Sequence, residues 1–416
     1  MYRLPRAMSA QRRVGARPMY GQFWRITLPF VTLSLLLIVA LGTAFLHGFG
    51  GLGRANASSA QSISVTGTSG DQQVNLSWSA VPDAQGYQIQ QTDLATGTTQ
   101  VLPDIQQGTS FSPGSLAVGH WYRFSVIPLT AAGAGTPSQA IEIRTKGFQQ
   151  YDHYYALGDS YTAGNGAPPY MGATGCYRSA NSYSFLLGNG APTPDVIACS
   201  GAVTADVDQV RQLPSVPGTQ LSQLHMGSQV NALITITIGG NDVSFANELK
   251  NCIESFTACT SRRTIIANKI TALEPRLAQV YQEIRQAAPG ADIFVVGYPL
   301  LVADPAIASC HNPLVRVGLS SSEMTMIRQL AGMLDGVISQ AASQAGVVAV
   351  TQEVEQAFAG HEACTKNQSN EWVNEIAGLN DLLHDSFHPN RNGYLADSQA
   401  VNASRTALYQ NGMVRQ

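Results

Sequence analysis

Short runs in which apolar and polar residues alternate fill the chain from residue 63 to residue 145. Val74, Leu76 and Trp78 alternate with polar residues in one run, and a similar alternation includes Tyr122 and Phe124 in a later one. A period of two places successive side chains on opposite faces of a β-strand. Several such runs divided by turn residues predict an all-β sandwich over residues 63–145.

From residue 151 onward, short apolar runs are separated by longer stretches with helical spacing. The runs are residues 154–157, 233–238, 293–296 and 347–350. Between them, apolar residues recur at spacings of three and four, as in Leu273, Leu277, Val280, Ile284 and Ala287, and again in Ile327, Leu330, Leu334, Val337 and Ala341. Apolar strands that alternate with helices predict an α/β fold with a parallel sheet covered on both faces. Reactive groups in such folds lie on loops at the carboxyl ends of the strands.

The N-terminus combines a basic leader with an uncharged apolar run. Residues 1–25 contain six arginines and no acidic residue, and residues 26–46 are apolar or small. A helix of this length spans a hydrocarbon core of about 30 Å, and the arginines predict a cytoplasmic leader with the rest of the chain exported. The length of the run favours a transmembrane anchor. Ala55-Asn56-Ala57 is also an acceptable cleavage site, so a signal helix stays open. The Gly- and Ser-rich residues 47–62 are a linker.

Composition excludes some partners and points to an oxidising compartment. The chain is 12% charged with a formal net charge of −3, and no basic run follows the N-terminus, so nucleic acid is not expected as a partner. All six cysteines follow residue 170, and an even number in an exported chain predicts three disulfides. The simplest pairing joins neighbours along the chain, although the sequence leaves others open: Cys176 with Cys199, Cys252 with Cys259, and Cys310 with Cys364. The chain contains no C-x-x-C pair, so a structural zinc site is not expected.

Four short segments carry groups suited to acyl transfer. A Gly-Asp-Ser turn after the first predicted strand exposes the hydroxyl of Ser160, and a Cys-Ser-Gly-Ala loop allows Gly201 to direct its N–H at an oxyanion. Asn241 follows two glycines at the end of another strand and offers an amide donor. Asp385 precedes His388 by three residues, where a carboxylate can fix the imidazole tautomer. Each segment alone is also compatible with an ordinary turn.

Together and in this order, the four segments resemble the conserved blocks of SGNH/GDSL hydrolases. Over residues 151–412 the chain looks most like the secreted esterase and lipase branch known from actinomycetes. The resemblance implies a three-layer α/β/α fold, the neighbouring disulfide pairing and no cofactor or metal. It implies Ser160 as nucleophile, His388 as general base, and an oxyanion hole made of the N–H groups of Ser160 and Gly201 and the amide of Asn241. Some members of that branch replace the acid by a backbone carbonyl. Because Asp385 is present, a Ser-His-Asp triad is predicted here.

The segment before the hydrolase resembles a fibronectin type III module, through Leu116-x-x-Gly119-x-x-Tyr122 and Gly133-x-Gly135-x-x-Ser138. This resemblance implies a spacer or a weak binding module. The predicted function is hydrolysis of carboxylic esters of a lipid or an acylated polymer outside the cytoplasm. Lipase, phospholipase and carbohydrate-ester deacetylase stay open, because a membrane helix favours lipids and the module favours polymers. A non-catalytic adhesion protein is disfavoured, because each catalytic position holds a competent residue.

Overall fold

The computed structural model describes residues 62–172, 175–224, 231–255, 259–376 and 384–416. The predicted leader 1–25, the apolar run 26–46 and all but the last residue of the linker 47–62 lie outside these ranges, so those three assignments stay predictions. Within the described ranges, no helix is both long enough and apolar enough to cross a membrane.

The N-terminal sandwich, residues 65–144, consists of two antiparallel sheets. Its strands are β1 (Val65–Ser69), β2 (Val74–Trp78), β3 (Gly86–Asp93), β4 (Thr99–Val101), β5 (Ser110–Phe111), β6 (Trp121–Thr130), β7 (Gly133–Ala134) and β8 (Ile141–Arg144). One sheet has the order β1-β2-β5, and the other contains β8-β6-β3-β4, with β7 paired to β6. In β2 the apolar residues are buried and Asn75 and Ser77 are exposed, as alternation requires. Apolar side chains of both sheets form one core between them. The predicted all-β sandwich is therefore confirmed.

The α/β part contains the remaining strands and all of the described α-helices. Its strands are β9 (His153–Gly158), β10 (Tyr170–Met171), β11 (Arg178–Ser179), β12 (Asp195–Val196), β13 (Ala232–Thr237), β14 (Asp292–Val296) and β15 (Val348–Val350), and β16 (Met413–Arg415) ends the chain. Its α-helices are α1 (Ser160–Ala163), α2 (Tyr183–Leu186), α3 (Thr204–Asp208), α4 (Phe245–Ser255), α5 (Arg263–Ala287), α6 (Pro313–Gly318), α7 (Ser321–Ala345), α8 (Gln352–Phe358) and α9 (Arg391–Asn411).

The central sheet is parallel throughout and has the strand order β12-β9-β13-β14-β15. Every residue of β13 and β14 is buried, so helices cover both faces of the sheet. The two predicted helical repeats form α5 and α7, which pack against each other, while α9 packs against α2 and α8. The predicted parallel sheet with covering helices is confirmed. The four predicted strands are β9, β13, β14 and β15, and β12 has too few residues to show a pattern.

The last strand of the chain belongs to the N-terminal sandwich. Strand β16 pairs antiparallel with β8, with Val414 opposite Ile143. A buried ion pair joins the same two parts, because the guanidinium of Arg144 donates to both carboxylate oxygens of Asp292 at 2.9–3.1 Å. The indole N–H of Trp121 (3.0 Å) and the hydroxyl of Tyr151 (2.7 Å) donate to the same carboxylate. The predicted hydrolase boundary at residue 412 did not anticipate this strand.

Two of the predicted disulfides are present. Cys176 is bonded to Cys199, and Cys310 to Cys364. The third predicted pair, Cys252 with Cys259, includes a side chain outside the described part of the structure and stays a prediction. The Cys176–Cys199 bond joins the loop before β11 to the loop that carries Gly201. The Cys310–Cys364 bond joins the segment before α6 to the segment after α8.

Candidate active site

The nucleophile turn begins where β9 ends. Gly158 has φ of 121°, and a Cβ atom there would collide with the carbonyl oxygen of Thr237, so glycine is required. The chain turns at Asp159, whose carboxylate accepts from the N–H of Tyr161 at 2.9 Å and caps α1. Ser160 is the first residue of this helix, and 7% of it is exposed. Its hydroxyl thus stands at the carboxyl end of a central strand.

His388 meets this hydroxyl directly. Its Nε2 lies 2.7 Å from Oγ of Ser160, and its Nδ1 lies 3.0 Å from the carbonyl oxygen of Ser386. The hydroxyl of Tyr161 donates to the carbonyl of Phe387 at 2.6 Å, and the ring of Tyr161 packs on the imidazole with centroids 4.8 Å apart. A residue next to the serine therefore holds the loop that carries the histidine.

Asp385 does not take the position that the triad prediction gave it. The acceptor at Nδ1 of His388 is the carbonyl of Ser386. Oδ1 of Asp385 instead accepts from the N–H of Gly166 at 3.2 Å and from the hydroxyl of Tyr170. The physical reason is the backbone turn at Phe387, with φ of 58°, which folds the Ser386 carbonyl back onto the ring. The prediction of Asp385 as the partner of the imidazole is corrected accordingly.

The three predicted oxyanion donors line one cleft with Ser160 and His388. Within the described residues, the N–H groups of Ser160 and Gly201 donate to no acceptor. Gly201 has φ of 80°, a conformation that favours glycine. One proton of the Asn241 amide is held by the carbonyl of Ala202 at 3.0 Å, which orients the amide and leaves its second proton free to donate. The structure thus places all three predicted donors in the cleft that Ser160 and His388 line.

A buried tyrosine connects the nucleophile turn to the asparagine loop. The hydroxyl of Tyr298 donates to Oδ2 of Asp159 at 2.6 Å and accepts from the N–H of Gly240 at 3.0 Å. Burial raises the pKa of Asp159 to about 7, against the opposing effect of the Tyr298 hydroxyl. The backbone N–H of Tyr298 is held in turn by Asp335 at 2.9 Å. These bonds fix Ser160 and Asn241 relative to each other.

Burial also sets the protonation state of the histidine. It lowers the pKa of His388 to about 4, and the Ser386 carbonyl and the charge of Asp385 oppose this shift more weakly. At neutral pH the imidazole is uncharged. The Ser386 carbonyl can only accept, so the proton of the neutral ring is on Nδ1 and Nε2 is free to receive the serine proton.

Comparison with known proteins identifies the family. The family model described as GDSL-like lipase/acylhydrolase matches residues 156–396, which is more than half of the chain. The chain belongs to this family. Its predicted class of enzyme, a carboxylic ester hydrolase, is thereby confirmed.

Relatives from Streptomyces support the same assignment. Lipase 1 of Streptomyces coelicolor is 34% identical over 247 residues, which cover 58% of this chain and 82% of the relative. The crystal structure of an extracellular lipase from Streptomyces rimosus has a TM-score of 0.50 and 29% identity, covering 61% of this chain and 99% of the other. The crystal structure of phospholipase A1 from Streptomyces albidoflavus has a TM-score of 0.50 and 30% identity over the same shares. The predicted resemblance to an actinomycete branch is confirmed.

The cleft of this GDSL-like hydrolase has a volume of about 420 Å³ and is largely apolar away from the serine. Helix α4 contributes most of one wall, and α7 with the adjoining loops contributes the rest. The apolar lining comprises Phe245, Leu249, Ile253, Leu301, Leu334 and Ile376. Its chemistry suits a hydrocarbon chain bound next to the nucleophile.

Tyr161 and Tyr298 are site residues that the sequence patterns did not assign. Tyr161 directly follows the Gly-Asp-Ser turn, and Tyr298 lies in a Gly-Tyr-Pro sequence after β14. Their positions could have indicated a role in the site. Both residues follow a predicted strand of the parallel sheet, at the edge where the reactive groups of such folds lie. Nothing in the sequence indicates that their hydroxyls bridge two catalytic loops.

Proposed function

We propose that the protein is an extracytoplasmic serine hydrolase that cleaves carboxylic esters through an acyl-enzyme, with Ser160 as nucleophile and His388 as general base. The observation that carries this proposal is the 2.7 Å contact between Nε2 of His388 and Oγ of Ser160 at an apolar cleft. A hydroxyl and an uncharged imidazole at this distance are suited to proton transfer.

The reaction begins when Nε2 of His388 takes the proton of Ser160 as Oγ attacks the ester carbonyl. The carbonyl oxygen becomes an oxyanion, which the N–H groups of Ser160 and Gly201 and the amide of Asn241 stabilise. The imidazolium keeps its Nδ1–H bond to the Ser386 carbonyl and gives the Nε2 proton to the leaving alkoxide, so that the alcohol departs. Water, deprotonated by Nε2, then attacks the acyl-serine, and the imidazolium returns this proton to Oγ of Ser160 as the carboxylic acid is released.

The apolar lining of the cleft supports a fatty acyl ester as substrate. Each buried CH₂ group contributes about 0.8 kcal/mol, which is roughly fourfold in kcat/KM if the contact is kept in the transition state. Lengthening the acyl group from acetate to butyrate should therefore raise kcat/KM by on the order of 15-fold. The names of the Streptomyces relatives, lipase and phospholipase A1, favour the same class of substrate. A deacetylase would show the opposite preference.

Hydrolysis of p-nitrophenyl acetate, butyrate and palmitate tests this function. The wild-type protein is expected to prefer the longer esters, and Ser160→Ala should lower kcat by about 10⁴-fold or more. Ser343→Ala is the matched control, because it removes an exposed hydroxyl from α7 and should leave turnover unchanged. Near-normal turnover of Ser160→Ala would refute the nucleophile assignment. A preference for acetate would favour a carbohydrate-ester deacetylase, and no hydrolysis at all would favour an adhesion protein.

Export is supported by the arginine-rich leader and by the two disulfides, which form in oxidising compartments. N-terminal sequencing of the protein from its native host distinguishes an anchor from a signal peptide. A mature chain that begins at Ser58 indicates cleavage and release, whereas an intact N-terminus in the membrane fraction indicates an anchor. Active enzyme in the cytosol with reduced cysteines would contradict export.

A further inference from the structure

A second cleft, of about 330 Å³, lies beside the substrate cleft and shares Ile376 with it. It is formed between the segment before α6, which includes His311 and Asn312, and the segment from Gln368 to Ile376. It contains none of the proposed catalytic residues. What distinguishes it is a cluster of charged and metal-ligating side chains.

Three side chains converge in this cleft at a spacing typical of metal ligands. His311, Glu371 and Glu375 each place one potential ligand atom within 4.8 Å of the others. Nε2 of His311 lies 3.8 Å from Oε1 of Glu371 and 2.9 Å from the carbonyl oxygen of Thr365. Ligands that are about 2.0–2.5 Å from a common ion are separated by such distances. The four groups therefore offer up to three oxygen donors and one imidazole nitrogen.

One oxygen of the two carboxylates has no hydrogen-bond donor among the described residues. The Glu371 side chain is 7% exposed, and its Oε1 has no hydrogen-bond partner among the described residues. Glu375, in contrast, accepts from the N–H groups of His311 at 2.7 Å and Asn312 at 2.5 Å. The repulsion between two adjacent buried carboxylates is reduced either by a shared proton or by a bound cation.

We propose that this cleft binds a divalent cation. The Oε1 atom of Glu371, the carboxylate of Glu375, Nε2 of His311 and the carbonyl oxygen of Thr365 are the protein ligands. Without a cation, Nε2 of His311 donates its proton to the Thr365 carbonyl at 2.9 Å, so cation binding requires the other tautomer, with the ring proton on Nδ1. The cleft opens to solvent, so water completes the coordination. Oxygen donors suit Ca²⁺ and a nitrogen donor suits Zn²⁺, and the experiment below separates these two ions.

The position of the cluster gives the cation a structural role. His311 and Thr365 each directly follow a half of the Cys310–Cys364 disulfide. On the other side, Asn374 donates its N–H to the carbonyl of His388 at 2.9 Å and accepts from the N–H of Phe387 at 2.8 Å. Because Glu375 directly follows Asn374, a cation bound to Glu375 would hold in place the segment that is hydrogen-bonded to the loop of His388. We expect it to stabilise the protein without touching the substrate.

The full-length protein, stripped of metal with a chelator, is the starting point of the test. Titration calorimetry and thermal unfolding with CaCl₂ and with ZnCl₂ should show one site and a rise of several degrees in Tm for one of the two ions. Glu371→Gln keeps the side-chain size but removes a charged ligand, and it should weaken binding at least tenfold. Glu283→Gln, on the outer surface of α5, is the matched control and should bind as the wild type does.

The outcomes separate the cation from a shared proton. If neither ion binds the wild type, or if Glu371→Gln binds as tightly as the wild type, the proposal is wrong. If Glu371→Gln raises Tm in metal-free buffer while both ions leave the wild type unchanged, the two carboxyl groups share a proton instead. Because the readouts are binding and Tm, the result is independent of whether Ser160 is the nucleophile.

Discussion

Replacement of Asp385 by asparagine tests which group orients the catalytic histidine. Asparagine keeps Oδ1, the atom that accepts from the N–H of Gly166 and from the hydroxyl of Tyr170, so the local structure should survive. The Ser386 carbonyl at Nδ1 of His388 belongs to the backbone and is not changed by the substitution. The imidazole therefore keeps both its tautomer and its orientation.

The expected loss is the electrostatic effect of the Asp385 charge alone. That charge raises the pKa of His388, but less than the Ser386 carbonyl does. Because Asp385 is only partly buried, solvent screens its charge, and the interaction is worth on the order of 1 kcal/mol. This corresponds to roughly a fivefold fall in kcat and a downward shift of about 0.7 in the pKa of the histidine. An essential triad carboxylate would instead cost about 10⁴-fold in kcat.

Steady-state kinetics from pH 3 to 9 on the wild type and on Asp385→Asn measure both quantities, with thermal unfolding as a check of the fold. Asp385→Ala is the companion variant, since it removes Oδ1 and should lower stability by about 1–3 kcal/mol as well. A loss of 10³-fold or more in Asp385→Asn at unchanged Tm would refute the argument. It would mean that the carboxylate reaches the imidazole during the reaction.

Four further predictions rest on contacts described above. Asn241→Ala should lower kcat by about 10²–10³-fold with KM nearly unchanged, because the oxyanion exists only in the transition state, and an equal rise in KM would contradict this role. The rate should be constant at neutral pH and fall at acid pH with a midpoint near 4, where His388 becomes protonated. The folded-state pKa of His388 is below its ordinary value of 6.5, so the neutral histidine contributes about 3 kcal/mol to the free energy of unfolding above pH 6.5. This contribution is lost as the pH falls from 6.5 to 4. Urea unfolding at several pH values measures it. Asp292→Asn leaves the buried Arg144 without its counter-charge and should cost about 3–5 kcal/mol in urea unfolding, and a cost below about 1 kcal/mol would show that the ion pair contributes little.

The layers of the fold could be predicted because buried strands and helices require apolar residues at regular positions in the sequence. Strands β13 and β14 are buried on both faces and read as unbroken apolar runs, while α5 and α7 repeat apolar residues at helical spacing. The two-residue strand β12 and the three-residue β16 are too short for any periodicity. Their pairing depends on which edge is open after folding.

The contact between Ser160 and His388 could be predicted, and the acceptor at Nδ1 could not. Ser160 and His388 can be recognised from the chemistry of their side chains and from the order of the segments that contain them. Both can be read directly from the sequence. The acceptor at Nδ1 is a backbone carbonyl, and every residue has one. Its placement depends on the positive φ of Phe387, a residue type that gives no sign of that conformation. The carboxylate of Asp385 was the visible candidate, and Tyr170 binds it instead.

Strand β16 covers one edge of the second sandwich sheet by pairing with β8. Because β16 follows the whole α/β part in the sequence, the edge of β8 stays uncovered until that part has been synthesised. An uncovered edge strand can pair with strands of other chains. A protein truncated before residue 413 would therefore expose the edge of β8, while Arg144 would keep its ion pair with Asp292. The protection of this edge of the sandwich thus depends on a short strand that lies beyond the α/β part in the sequence.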